Sequence, residues 1–224
     1  MTVRADQLRT KRQTARLFLR LGSGRVAVPA LAVLVVVRLL VGGWSWADPV
    51  LVAVVVLLTG PVEWVLHRDV LHASTESFTA RRLGLGHGHR KHHLDPPELQ
   101  WLLLTGVEMA IFLVILAIAT AVWSLPLGWA LDGGLLGAFL TALTATVGAT
   151  AHYEWTHLLV HTAYRPRTRY YARLARNHRR HHYRNEAYWL GVTSNLGDRL
   201  LGTLPRSDEQ VPRSPTARTL DPTR

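Results

Sequence analysis

The chain has 224 residues, enough for one domain and cramped for two. It contains no cysteine, which excludes disulfides, thiolate zinc sites and iron–sulfur clusters within the chain. Only Lys11 and Lys91 among its 26 basic residues are lysines, and the formal net charge is +11. The arginines flank apolar runs rather than lining one polar face, so the charge fits anionic lipid and not nucleic acid as a partner.

Residues 1–25 carry Arg4, Arg9, Lys11, Arg12, Arg16, Arg20 and Arg25 ahead of an apolar run that opens at Val26. No small-x-small cleavage site precedes Asp48 and a second apolar run follows at once, which predicts a retained anchor and not a signal peptide. Four spans are predicted, over 26–46, 49–67, 101–123 and 134–157. Each is long enough for a hydrocarbon core of about 30 Å at ~1.5 Å rise per residue. Pro29 and Arg38 interrupt the first span; Arg38 lies toward its far end, where it either snorkels outward, the expected reading, or pairs within the bundle.

The connections Gly42–Asp48 and Ser124–Gly133 contain no Lys or Arg and carry Trp44, Trp46 and Trp129, with Trp123 at the boundary. The N-terminus and the segments 68–91 and 165–184 are arginine-rich. The positive-inside rule therefore places the basic segments in the cytoplasm and the tryptophan-bearing turns outside. The predicted fold is all-α: an integral membrane protein of four transmembrane helices in two hairpins beneath a histidine-rich cytoplasmic cap. Its expected parts are a basic cytoplasmic segment 1–25, a membrane domain 26–204 and a tail 205–224 that its Pro, Ser, Thr and charged composition marks as disordered.

Ten of the twelve histidines form four clusters: His67 and His72; His89, His92 and His93; His157 and His161; His178, His181 and His182. They repeat. A pair is followed by a triplet after 17 residues in each half, and each pair follows a Glu-Trp dipeptide, Glu63-Trp64 or Glu154-Trp155. Residues three and four apart share a helix face, so each triplet converges, as do His157 and His161. His67 and His72 stand five apart and are turned away from each other in an ideal helix; they converge if the helix ends there or carries a π-bulge. Neutral imidazole is the commonest protein metal ligand, and ten rings suit two ions of four to six ligands each. Ligating rings need partners that fix their tautomer, and Glu63, Glu154 and Asp198 are the candidates, with Asp69, Asn177 and Asn195 behind them. His87 and His152 fall outside the pattern.

Together, EWVLHRDVLH at 63–72, HRKHH at 89–93, His157-x3-His161, NHRRHH at 177–182 and GVTSNLGDRLLGT at 191–203 resemble the fatty acid hydroxylase/sterol desaturase superfamily over about residues 50–204. The ordered set is most similar to the fatty acid 2-hydroxylase branch. The resemblance implies a four-helix bundle with a dinuclear metal centre held by all ten clustered histidines, and oxygen-dependent hydroxylation of a membrane lipid, a fatty acyl chain or sterol-like molecule. Two ions are then required, iron for the redox chemistry or zinc in a purified sample, with O2 as co-substrate. Electrons must come from a separate ferredoxin or reductase, since the chain has no haem domain and no flavin or nicotinamide fingerprint. The resemblance leaves open carotenoid ring hydroxylation or lipid desaturation. A non-enzymatic haem or metal-binding membrane protein and a metal-ion transporter are the readings of another class. A bacterial plasma membrane is the expected location.

Overall fold

The computed structural model describes residues 4–83, 86–207 and 210–220, and every regular element among them is helical. After a short turn at Ala5–Gln7 come α1 (Lys11–Phe18), α2 (Gly24–Val41) and α3 (Ala47–Val65). The π-helical turn Leu66–Leu71 continues α3, and α4 (Phe78–Leu83), α5 (His87–Leu94) and α6 (Leu99–Leu102) follow. The order ends with α7 (Gly106–Ala130), α8 (Leu135–Val160), α9 (Arg169–Tyr183) and α10 (Leu196–Leu200). Four segments are long and apolar enough to cross a membrane: 24–41, 47–71, 99–130 and 135–160.

Three of these match the predicted spans within a few residues. The third runs further, because α7 passes through Pro126 and Gly128 to Ala130 and the turn is only residues 131–134. Pro126 and Gly128 look like a loop in sequence, yet the residues around them, Leu125, Leu127 and Trp129, keep the segment apolar, and Gly128 admits close approach by Ala138. Leu99–Leu104 is not continuous with α7. Thr105 caps α7, its hydroxyl taking the Glu108 N–H while the Glu108 carboxylate takes the Thr105 N–H, a reciprocal box that starts the helix afresh.

The chain divides into two compact units. One comprises residues 16–59 and 104–155 and holds the greater part of the apolar helices. Its contacts are made by small residues: Ala27 and Ala151 pack with Met109, and Ala138 and Ala142 pack with Leu51. Small side chains let membrane helices approach closely where no hydrophobic gradient drives them together. Val36, Leu40, Ile111, Val114, Ile118 and Val122 are exposed, an apolar exterior suited to lipid. Arg38 does not snorkel. It is 3% exposed, donates to Thr141 Oγ1 and Asp48 Oδ1 at 2.6 Å each, and lies over the Trp44 ring. Asp48 also accepts from the Ser45 N–H and the Thr141 hydroxyl. Of the two readings the sequence offers, pairing within the bundle is the one the structure shows: Asp48 lies 10 residues away and Thr141 103.

The other unit comprises residues 4–15, 60–103 and 156–220 and contains every clustered histidine. Its N-terminal strap is tied by Arg4 to Asp95 at 2.6 Å. Gly197 in α10 sits against the Gly60 carbonyl and Trp64, leaving no room for a Cβ.

Candidate metal centre

The spacing of His67 and His72 is resolved by the backbone. The His72 N–H donates to the His67 carbonyl at 3.0 Å, closing the wider π turn and bringing the rings to 4.7 Å between centroids. α5 begins directly above this turn at Gly86, whose φ is +83°. A Cβ there would lie 2.9 Å from the Leu71 carbonyl oxygen, so glycine is required both by the left-handed backbone and by the close approach.

All ten clustered histidines come together as two groups of five. His67, His72, His89, His93 and His181 form one; His92, His157, His161, His178 and His182 form the other. Within each group one nitrogen per ring lies within 4.8 Å of all the others. The division does not follow the sequence repeat: the middle histidine of each triplet, His92 or His181, belongs to the group built mainly by the other half. Against the expectation that its three rings converge, each triplet presents two to one side and the third to the other, and the way α5 and α9 face each other sends the middle ring to the other half's group.

The ring nitrogens have the spacing of ligands around an ion. In the first group His67 Nε2 and His72 Nε2 stand 3.0 and 3.1 Å from His89 Nε2. In the second, Nε2 of His178 is 2.8 Å from that of His161, and Nε2 of His182 is 3.0 Å from His178 and 3.2 Å from His92. Imidazoles at the usual metal–nitrogen distance of about 2.0–2.1 Å have nitrogens ~2.9 Å apart at a right angle and ~3.4 Å at the tetrahedral angle. In the first group the Nδ1–H donates outward: His67 to the Leu190 carbonyl at 2.5 Å, His181 to Tyr188 at 2.9 Å and His93 to Ala217 at 2.8 Å. Each of those Nε2 atoms therefore presents a lone pair inward, and Nε2 of His93 and of His181 is buried without a protein partner. In the second group His157 donates to the Leu102 carbonyl, while Nδ1 of His92, His178 and His182 has no acceptor among the described residues.

Burial also holds the rings in the ligating form. Desolvation pushes the His93 pKa down to about 3, and it depresses His72, His89, His92, His161, His178, His181 and His182 well below the ordinary histidine value, neighbouring imidazoles adding to the effect. A buried cluster of neutral imidazoles keeps its lone pairs at neutral pH. An all-nitrogen donor set with ligand-like spacing and anchored tautomers fits two metal ions.

The three carboxylates expected to orient the rings do so at one remove or not at all. Glu63 accepts from the Val192 and Thr193 N–H groups and the Thr193 hydroxyl. Asp198 accepts from the Leu190 and Gly191 N–H groups at 2.9 Å and from the Thr203 hydroxyl at 2.6 Å; its pKa is raised by burial, against those bonds. The two acids thus clamp the segment 190–193, whose Leu190 carbonyl receives His67. Glu154 accepts from the Ser23 hydroxyl and the Leu104 N–H, both in the unit of apolar helices. Asn177 donates to Asn195 at 3.4 Å, and Asp69 lies 3.7 Å from Arg68; neither contact involves an imidazole. His87 and His152 are exposed and belong to neither group.

Sequence reasoning missed the anchoring carbonyls of Leu102, Tyr188, Leu190 and Ala217, because a backbone acceptor leaves no residue-type signature. The last of these lies in the tail. Composition predicts disorder from 205 onward, yet residues 211–220 pack against the triplets. Arg184 donates to the Val211 carbonyl, Asn185 to Pro212, the Ser214 and Thr216 hydroxyls to Glu186, and Arg90 to the Leu220 carbonyl. Val211, Ala217 and Leu220 are buried; these few apolar residues and a run of backbone bonds hold a segment whose average composition is polar.

The family model described as "Fatty acid hydroxylase" matches residues 52–203. Two curated Arabidopsis thaliana proteins are similar: dihydroceramide fatty acyl 2-hydroxylase FAH2, 31% identical over 69% of this chain and 60% of its own, and FAH1, 32% identical over 64% and 55%. The chain thus spans less than two thirds of either relative. A solved structure of full-length Scs7p, in which only the hydroxylase domain is visible, shares the fold with a TM-score of 0.62 at 23% identity, covering 88% of this chain and 71% of that one. The tail beyond residue 203 lies outside the family match.

Proposed function

Since this chain belongs to the fatty acid hydroxylase family, we propose that it is an oxygen-dependent lipid hydroxylase whose two five-histidine groups each hold one metal ion. The observation that carries this is the convergence of ten imidazoles, drawn from both halves of the chain, into two groups with ligand-like spacing. The curated relatives named as fatty acyl 2-hydroxylases favour a fatty acyl chain as substrate.

An unactivated C–H bond is beyond general acid–base groups, and a redox-active metal pair, iron in this reading, supplies the oxygen activation that it requires. The reaction balances as R–H + O2 + 2 e⁻ + 2 H⁺ → R–OH + H2O. The protein's own share is positional. The Leu190, Tyr188 and Ala217 carbonyls fix three rings of the first group, and the Glu63–Asp198 clamp holds the Leu190 carbonyl in place. Burial of the imidazoles excludes water from the oxidising site. A lipid substrate reaches it from the bilayer, and an external ferredoxin or reductase supplies the two electrons. In this reading the histidines face the cytoplasm, which the positive-inside pattern supports, and the membrane is a bacterial plasma membrane.

The test is paired: metal analysis of the purified protein and lipid mass spectrometry of expressing cells grown with and without oxygen. Two ions per chain and an oxygen-dependent +16 Da lipid are expected. Identical lipid profiles from a strain with a matched electron donor overturn the hydroxylase reading.

A further inference from the structure

α9 is two-faced. Its buried face carries His178, His181 and His182, so it serves both histidine groups, while the opposite face is arginine-rich. Arg176, Arg179, Arg180, Tyr183 and Arg184 from that face, together with Arg213 from the tail, line a concavity of about 360 Å³. Arg213 is held over it by the same bonds that fix the tail, those of Arg184 to Val211 and Asn185 to Pro212. Five guanidinium groups and a half-exposed tyrosine, with no carboxylate among the lining residues, form a built recess for negative charge.

We infer that this recess is the docking site for an acidic electron-carrier protein. The inference rests on the hydroxylase reading for its purpose, but not for its test. Two observations favour a protein donor over lipid headgroups. First, the recess lies on the back of the helix that bears three ligands, so a seated carrier is separated from the site by little more than one helix diameter, ~10–12 Å. Second, its five guanidinium groups converge from two segments, α9 and the tail, onto one shallow recess, which concentrates positive charge where a single acidic patch of a protein can meet it. Each encounter oxidises the donor by one electron, and two encounters supply the pair that one hydroxylation consumes. A like-signed arginine field raises association rates by about 10–10³-fold and is screened beyond ~8 Å at physiological salt.

The probe is an acidic [2Fe–2S] ferredoxin, measured for binding to the full chain in phosphatidylcholine nanodiscs. The variant is R176E/R179E/R213E, with the milder R176Q/R179Q/R213Q beside it in case three reversals disturb folding. Expected results are salt-sensitive binding by the wild type, at least tenfold weaker binding by the triple-Glu variant, an intermediate loss for the triple-Gln variant, and unchanged metal content in both. Reduction of the loaded centre by ferredoxin should slow in parallel, while reduction by a small neutral reductant does not. Absence of ferredoxin binding by the wild type, or equal binding by all three proteins, overturns the inference. So does a loss confined to nanodiscs containing phosphatidylglycerol, which assigns the recess to headgroups. Intact docking with bound metal whose oxidation state no reductant changes upholds the docking site and sinks the hydroxylase reading instead.

Discussion

His92 and His181 hold equivalent places in the two sequence repeats, and each completes the histidine group of the opposite half. His92 Nε2 lies 3.2 Å from that of His182, and the His181 ring centroid lies 4.6 Å from that of His67. Each half of the chain carries five of the ten histidines, yet only four of each five gather with one another.

His181→Ala is expected to strip metal from the group containing His67, and His92→Ala from the group containing His157. Losing even a partner of a ligand typically costs 10–100-fold in affinity or activity, so loss of a ligand should exceed ~100-fold in turnover. Metal analysis by mass spectrometry on each purified variant checks this. Two ions retained in both variants would remove these residues from the ligand set.

Truncation after Pro205 removes the carbonyl that receives His93. The group containing His93 should lose about 10–100-fold in metal affinity, the usual cost of an outer partner. Competitive chelator titration measures it, and a synthetic peptide of residues 205–224 should restore part of the loss.

Glu63→Ala leaves the Val192 and Thr193 N–H groups buried without their acceptor. Each orphaned donor costs about 1–3 kcal/mol, and the slackened segment misplaces the Leu190 carbonyl. Hydrogen exchange at 190–193 should rise in Glu63→Ala and in Asp198→Ala alike, with faster metal loss. Unchanged exchange would refute the clamp.

Arg38→Ala leaves Asp48 buried without its cation, at a cost of about 3–5 kcal/mol, whereas Arg38→Met with Asp48→Leu should be far milder because no charge is stranded. Thermal unfolding in detergent distinguishes the pair. Activity per folded molecule should be unaltered.

Acid should release metal and destabilise the apo fold together. The folded histidines outside the spans titrate below the ordinary value of 6.5, His93 at about 3, so below pH 6.5 the unfolded chain binds protons that the folded chain refuses. Stability therefore falls as pH drops from about 6.5, approaching ~1.4 kcal/mol per pH unit for each such ring, and gains nothing from these groups above it. Urea titrations of metal-free protein at pH 7.5, 6.5 and 5.5 give the slope.

What sequence could reveal was governed by periodicity and residue type. The spans, the placement of each HxxHH triplet on one helix and the need for a helix defect between His67 and His72 all follow from local geometry, and the π turn at Leu66–Leu71 meets that need; the three rings of a triplet do not all converge. Three things did not follow. Arg38 and Asp48 meet Thr141 across helices, the carboxylates Glu63 and Asp198 act on backbone rather than on rings, and the tail is held by backbone bonds that composition averages away. The exchange of His92 and His181 depends on how α5 and α9 face each other, which no spacing encodes.

The single residue that separates HX4H at 67–72 from HX3H at 157–161 has a further consequence. One pair hangs from a widened π turn and the other from the tightened end of α8, where the His161 N–H donates to the Leu158 carbonyl, so the repeat is broken where it matters most. Two ions held by these groups would not be mirror twins. They should differ in bond lengths, in exchange rate and in redox potential, and Mössbauer spectra of an iron-loaded sample should resolve two quadrupole doublets rather than one.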